Sequence, residues 1–337
     1  MKNNTIKEIA TELNKAEKIV IFPHILMDGD ALGSSVALCV GLRKKGKEAC
    51  IAIEDKIPDY LTFLDKGYCI GDFEKIDTPD VSVCVDCGDY SRFRKRKKLF
   101  DCGKTKMCID HHPTSEGIGD FNYIDGGAAA TGEIIFDLLK EMNVVIDGEI
   151  SNAIFAAITT DTGNFQYSNT TRRSHEIVSE LYDFGLDAYS VSVNLYESES
   201  INKIKLHALV MKKAEMFAEG KGIIVSITQE MLEESNALME DTEGIVSTMR
   251  SIKGVEMAIV LKEAEKENIK VSMRSKGDIN VADISVKYGG GGHAKAAGCT
   301  LRQSIGTAKE EILKAAEEKY EYAWKSQNWG TFGKILG

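Results

Sequence analysis

Three short apolar runs in the first part of this chain each end within two residues of a hard metal ligand. Lys18-Ile-Val-Ile-Phe22 leads to His24, Val81-Ser-Val-Cys-Val85 to Asp86, and Lys106-Met-Cys-Ile109 to Asp110. Runs of this length, rich in Val and Ile, are predicted as buried strands. A further strand is predicted over 47–53. Apolar residues at helical spacing predict helices over 31–45, 131–142 and 151–160. Strands alternating with helices imply an α/β fold with a parallel, Rossmann-like sheet covered by helices on both faces. In such sheets ligands bind at the carboxyl ends of the strands. Three separate segments are therefore expected to bring ligands to one edge.

More ligands stand beside these. His24-Ile-Leu-Met-Asp28-Gly29-Asp30 follows the first strand, Asp110-His111-His112 the fourth, and Asp161 the helix over 151–160. His24 and Asp28 have i, i+4 spacing, but Pro23 and Gly29 favour a loop that aims His24, Asp28 and Asp30 inward together. A lone histidine after a strand is ordinarily structural. Here three of six histidines, at 24, 111 and 112, fall in two such motifs. Burying Asp28, Asp30, Asp86, Asp110 and Asp161 near one another without cations would force protonation or unfold the site. Carboxylates and imidazoles without a thiolate favour manganese or magnesium over structural zinc. Two divalent cations about 3.5–4 Å apart, sharing a hydroxide and a carboxylate, are a common means of cleaving a phosphate ester. The hydroxide attacks phosphorus in line, while the ions neutralise charge on the phosphoryl oxygens.

Length and charge bound the remainder. At 337 residues two domains are expected, at about 150 residues per domain. The start MKNNTIKEIA is polar and no long apolar stretch exists, so neither secretion nor a membrane span is expected, and a cytoplasmic location follows. The net charge of −10 argues against a broad basic face gripping long nucleic acid. It allows a small anionic substrate. The eight cysteines read as reduced, buried thiols; Cys84-Val-Asp-Cys87 lacks the second tight pair that a structural zinc site wants. Arg92-Phe-Arg-Lys-Arg-Lys-Lys98 reads as a solvated helix face or, alternatively, a patch steering phosphates towards the site.

Towards the C-terminus a polar helix over 190–207 reads as a linker. The organisation is residues 1–188, a helical linker at 189–209, and a smaller α/β domain at 210–337. In that domain a strand is predicted over 222–227, a helix over 242–252, paired strands over 255–262 and 268–274, a helix capped by Asn280 and a final helix over 305–319. Trp324 and Trp329 are expected to dock the tail. Gly289 to Gly292 run together before His293. Such a loop can approach an anion closely, and His293 can donate to a phosphate or protonate a leaving group.

Taken as a set, His24…Asp28-Gly-Asp30…Gly33-Ser34, Asp86, Asp110-His111-His112 and Thr160-Asp161-Thr-Gly163 resemble the four motifs of the DHH phosphoesterases. Arg274-Ser275 and Gly290-Gly-Gly-His293 through Ala297-Gly298 resemble the DHH-associated C-terminal domain. The resemblance covers nearly the whole chain, and its compact length is similar to the bacterial nano-RNase and pAp-phosphatase type. It implies that His24 and Asp28 hold one metal, that Asp30, His111 and Asp161 hold the other, and that Asp86 bridges both. His112 would contact the scissile phosphate, with Asp110 orienting the histidine pair. Arg274, Ser275, the glycines 290, 291 and 292, and His293 would bind substrate. The resemblance further implies a manganese preference, an exonuclease acting on very short RNAs, and a phosphatase acting on 3′-phosphoadenosine 5′-phosphate (pAp). Short RNA oligonucleotides or nucleotide phosphates are thus the expected partners, with no long nucleic acid and no membrane; a homodimer is compatible. The alternative is a phosphodiesterase for cyclic dinucleotides or for linear pApA and pGpG. Inorganic pyrophosphatase would want a Lys/Arg-rich clamp in place of the glycine–histidine segment. A regulator without turnover would lack one of the ligands.

Overall fold

The computed structural model describes residues 3–332; the side chains of residues 91, 94, 293 and 321–332 lie outside that description. Two compact units divide the chain, Met1–Ser198 and Glu199–Gly337. Among the described residues no helix is long and apolar enough to cross a membrane.

The first unit opens with α1 (Ile6–Lys15), whose Thr5 and Glu8 form a reciprocal capping box. Its sheet holds β1 (Lys18–Phe22), β2 (Glu48–Ala52), β3 (Cys69–Ile70), β4 (Val81–Val85), β5 (Thr105–Asp110) and β6 (Phe121–Ile124), in the order β3-β2-β1-β4-β5-β6. All neighbours pair in parallel. The helices are α2 (Gly29–Lys44), α3 (Lys97–Cys102), α4 (Thr131–Glu141), α5 (Gly148–Asp161), α6 (Arg172–Asp183) and α7 (Ala188–Tyr196).

Successive strand residues point to opposite faces, and this sorts the core. Ile19, Ile21, Val83, Met107 and Ile109 pack with α1, α2, α4 and α5 on one side. Val20, Phe22, Cys84 and Cys108 pack with Cys87, Phe93 and Phe100 on the other. The thiols of Cys84, Cys87 and Cys108 thus fill an apolar layer, where burial pushes Cys87 up to about 12.

Close packing of α2 on α5 depends on glycine. A methyl at Gly33 would collide with the Ala153 carbonyl oxygen, and one at Gly29 with the Thr160 side chain. This approach sets the start of α2, with Asp30, beside the end of α5, with Asp161.

In the second unit, α8 (Ile201–Lys213), β7 (Glu215–Phe217), β8 (Gly222–Ile227), α9 (Gln229–Ser235), α10 (Ile245–Ser251), β9 (Met257–Glu265), β10 (Asn268–Ser275), α11 (Ala282–Lys287), β11 (Gly291–His293), β12 (Ala296–Leu301) and α12 (Ile305–Phe332) follow in order. The sheet runs β11-β12-β10-β9-β8-β7; β8 and β9 are parallel, the remaining pairs antiparallel. Ile259, Leu261, Val271 and Met273 pack against Ala308 and Ile312 of α12. Val225 and Val260 pack against Leu206 and Val210 of α8 and Met231 of α9.

Two expectations are corrected here. The single linker helix over 189–209 is two helices, separated at 197–200, and each belongs to its own unit: α7 buries Val191 and Leu195 in the first core, α8 buries Leu206 and Val210 in the second. Ser200 caps α8 afresh by accepting from the Lys203 N–H at 3.0 Å, so the chain restarts there. The glycine run is not an open loop, since Gly291–His293 pairs antiparallel with β12. The expected docking of Trp324 and Trp329 concerns side chains outside the described residues.

Gly33→Ala should destabilise the protein by about 1–3 kcal/mol, because a backbone carbonyl cannot yield as a side chain does. Urea unfolding midpoints at unchanged m-value measure this; an unshifted midpoint would contradict the glycine contact.

Candidate metal centre

β1, β4 and β5 are neighbours, so the segments leaving their carboxyl ends meet. Pro23 has no N–H to extend the pairing, and the chain turns into a loop carrying His24. The His24 Nδ1 lies 2.7 Å from the Ile25 carbonyl oxygen. Only an N–H can satisfy that contact, so Nε2 is the nitrogen left to face the carboxylates or a metal. That Nε2 is 3.7 Å from Asp28 Oδ2 and 3.6 Å from Asp86 Oδ2. His111 is built the same way. Its Nδ1 donates to the Ala128 carbonyl at 3.2 Å, and its Nε2 lies 3.3 Å from Asp161 Oδ2, 3.6 Å from Asp86 Oδ1 and 3.8 Å from Asp30 Oδ2.

The carboxylates are placed by helix ends and strand ends. Asp28 caps α2, its Oδ1 accepting from the Ala31 N–H at 3.0 Å while its Oδ2 faces His24. Asp30 accepts three hydrogen bonds, from Ser34 Oγ at 2.8 Å, Thr131 N–H at 2.7 Å and Gly132 N–H at 3.0 Å. Asp86 sits at φ 56°, a left-handed backbone that aspartate tolerates but that costs free energy. Its N–H donates to the Ile109 carbonyl at 2.9 Å, and its Oδ1 accepts from Thr131 Oγ1 at 2.9 Å. Asp110 ends β5 and takes the Nδ1–H of His112 at 2.7 Å.

One ligand atom from each of His24, Asp28 and Asp86 lies within 4.8 Å of the others; the same holds for Asp30, His111 and Asp161, and for Asp86, His111 and His112. Asp86 thus belongs to groups on both sides. Burial and the neighbouring carboxylates push Asp30 well up and Asp161 up to about 6. Asp86 is raised by burial and by the charge of Asp28. Asp28 runs the other way: desolvation raises it, but the hydrogen bond and charge of His24 bring it down to about 2. The Asp110 hydrogen bond lifts His112 to about 9 against the pull of burial. Acids that repel one another, beside imidazoles whose Nε2 atoms face them, fit hard divalent cations.

Sequence reasoning missed Thr131 and Gly132. The start of α4 was legible, and the first N–H groups of any helix need acceptors, but not that Asp30 of another helix supplies them. Within 92–98 it also misread Arg96. Arg96 is neither solvated nor a steering charge: it is buried, and its Nη1 donates to the carbonyls of Pro23 at 3.0 Å and Ala52 at 2.7 Å. Together with the Ile25 N–H on the Arg92 carbonyl at 3.2 Å, this secures the loop that carries His24. Lys95, Lys97 and Lys98 are exposed.

In the second unit Arg274 and Ser275 end β10. Arg274 Nη1 donates to the Met273 carbonyl at 3.1 Å. Ser275 is buried and its hydroxyl donates to the Ile279 carbonyl at 2.7 Å. A methyl at Gly290 would strike the Gly298 carbonyl oxygen, and one at Gly292 that of Ala296, whereas Gly291 faces open space. Glycine at 290 and 292 is therefore demanded by the sheet itself. The His293 side chain lies outside the described residues.

A parallel sheet whose carboxyl edge gathers aspartates and histidines in this way is the framework of a phosphoesterase, a hydrolase. The chain belongs to the DHH family: residues 18–160 match the DHH family, N-terminal domain, and residues 219–321 match the DHHA1 domain. It is similar to the bifunctional oligoribonuclease and PAP phosphatase NrnA of Thermus thermophilus, 31% identical over 303 residues that cover 89% of this chain and 90% of that protein. The protein of the same name from Bacillus subtilis is 27% identical over 297 residues, 87% of this chain and 92% of that one. Among solved structures, an exopolyphosphatase-related protein from Bacteroides fragilis superposes with a TM-score of 0.88 at 27% identity, covering 95% of this chain and 97% of that one.

The raised carboxyls make a prediction about pH. From their ordinary value of 3.8 up to about 6, the value of Asp161, the folded, metal-free protein holds protons that the unfolded chain has released. Their contribution to stability therefore falls as pH rises through that window. Cations replace those protons, so Mn2+ should raise the melting temperature over an EDTA control more at about pH 7.5 than at about pH 5. Equal gains at both pH values, by differential scanning fluorimetry, would contradict the electrostatic account.

Proposed function

We propose that this chain is a divalent-cation-dependent phosphoesterase that degrades short oligoribonucleotides from an end and removes the 3′-phosphate of pAp. The observation that carries this reading is the meeting of His24, Asp28, Asp30, Asp86, His111 and Asp161, with Asp86 turned towards both imidazoles. The names of the Thermus and Bacillus relatives support the substrate class.

In this reading His24 and Asp28 hold one cation, Asp30, His111 and Asp161 the other, and Asp86 serves both. Two cations, Mn2+ in preference to Mg2+, would lower the pKa of a water at neutral pH and offset charge on the phosphoryl oxygens. His112 is kept protonated by Asp110, so its Nε2–H is a charged donor for an oxygen of the scissile phosphate. The glycines 290, 291 and 292, Arg274 and His293 bind substrate from the DHHA1 domain; Ser275, with its hydroxyl committed to Ile279, holds that segment in place.

A turnover panel in Mn2+ tests the assignment: pAp, RNA dimers to pentamers, pApA, pGpG, cyclic dinucleotides and pyrophosphate. The short RNAs and pAp should be turned over fastest, and all activity should stop in EDTA. Exclusive turnover of cyclic dinucleotides or pyrophosphate would overturn it, as would full activity after verified metal removal. A second measurement tests His112. Asp110→Asn removes the carboxylate that holds the imidazole protonated, so the alkaline fall in kcat should move to lower pH. An unmoved limb would remove His112 from the role of charged donor.

A further inference from the structure

Asp86 meets the two sides of the centre with different oxygens, Oδ2 at 3.6 Å from His24 Nε2 and Oδ1 at 3.6 Å from His111 Nε2. Rotation of a carboxylate about its last bond is broad and weakly restrained. Something must hold its plane, or one ion site would lose its oxygen whenever the other gained one. The strand delivers the Cα of Asp86 and the Ile109 hydrogen bond fixes its backbone, but neither sets that rotation.

Thr131 does. It is fully buried at the first turn of α4, and its Oγ1 donates to Asp86 Oδ1 at 2.9 Å. Its own N–H donates to Asp30 Oδ2 at 2.7 Å. A single residue thus touches one carboxylate from each ion group. The hydroxyl is not spent on capping its helix: the N-cap position is Ala130, which offers no side-chain hydrogen bond. Valine has nearly the same shape as threonine, so the hydroxyl, more than the bulk, is what this position adds.

We infer that Thr131 is a positioning residue that locks the plane of Asp86 so that one carboxylate serves two cations at once. This rests on the two-ion reading above and assigns the residue that couples the ions.

The test uses the full chain, Mn2+ titration and electron paramagnetic resonance. Wild type should bind two equivalents and show the spectrum of a coupled manganese pair. Thr131→Val should bind one equivalent about tenfold or more weakly and lose the pair signal, while its circular dichroism in EDTA matches wild type. Thr131→Ser, which restores the hydroxyl, should recover both. A merely structural role would shift unfolding and leave the pair signal of the loaded protein intact. If the valine variant fails to fold, Thr131→Ala carries the same expectation without a new methyl beside Asp86. Wild-type affinity and an intact pair spectrum in the folded variant would overturn the proposal while leaving the two-ion reading standing. A single equivalent without a pair signal in wild type would overturn both.

Discussion

Mutual repulsion of buried carboxylates is the constraint on which the first unit is organised. Asp30 and Asp86 are almost wholly enclosed, at 1% and 2% exposure, and Asp161 and Asp28 stand beside them. Two like charges about 4 Å apart repel by about 4 kcal/mol even at an effective dielectric of 20. The neighbouring imidazoles relieve this only in part: the charge of His24 lowers Asp28, yet Asp30, Asp86 and Asp161 stay raised. Relief has to come from protons or from metal ions, and at neutral pH ions are the stronger claimants.

The surrounding fold works to hold that repulsive set in place. Glycines 29 and 33 let α2 approach α5, which puts Asp30 beside Asp161. The free N–H groups of α4 grip Asp30. Arg96 fixes the carbonyl before His24. Asp86 adopts a left-handed backbone that an ordinary strand exit would avoid. Each device costs something locally, and each converges on the same few oxygens. Strain and buried charge gathered at one point are more economically explained by function than by stability.

The second unit is built on different terms. Its glycine run reads in isolation as a cradle for an anion, yet two of the four glycines are required by backbone contact inside the sheet. Ser275 likewise spends its hydroxyl on the fold. Residues that look like a binding motif can be there to shape the segment that carries one.

The alternation of strands and helices and the placing of aspartates and histidines at strand ends were legible because they depend on neighbours in sequence: hydrophobic period and chain reversal. The division of 189–209 into two helices, the burial of Arg96, the pairing of the glycine run and the grip of Thr131 on Asp86 were not. Those depend on which distant groups share a low-dielectric space, and a charged residue such as Arg96 reads as solvated until its acceptors are known. Sequence alone therefore determined the kind of fold and the chemical character of the side chains at its carboxyl edge. Tertiary packing alone decided which oxygen faces which imidazole, because that choice is made by hydrogen bonds across as many as 102 positions of chain, as from Gly132 to Asp30.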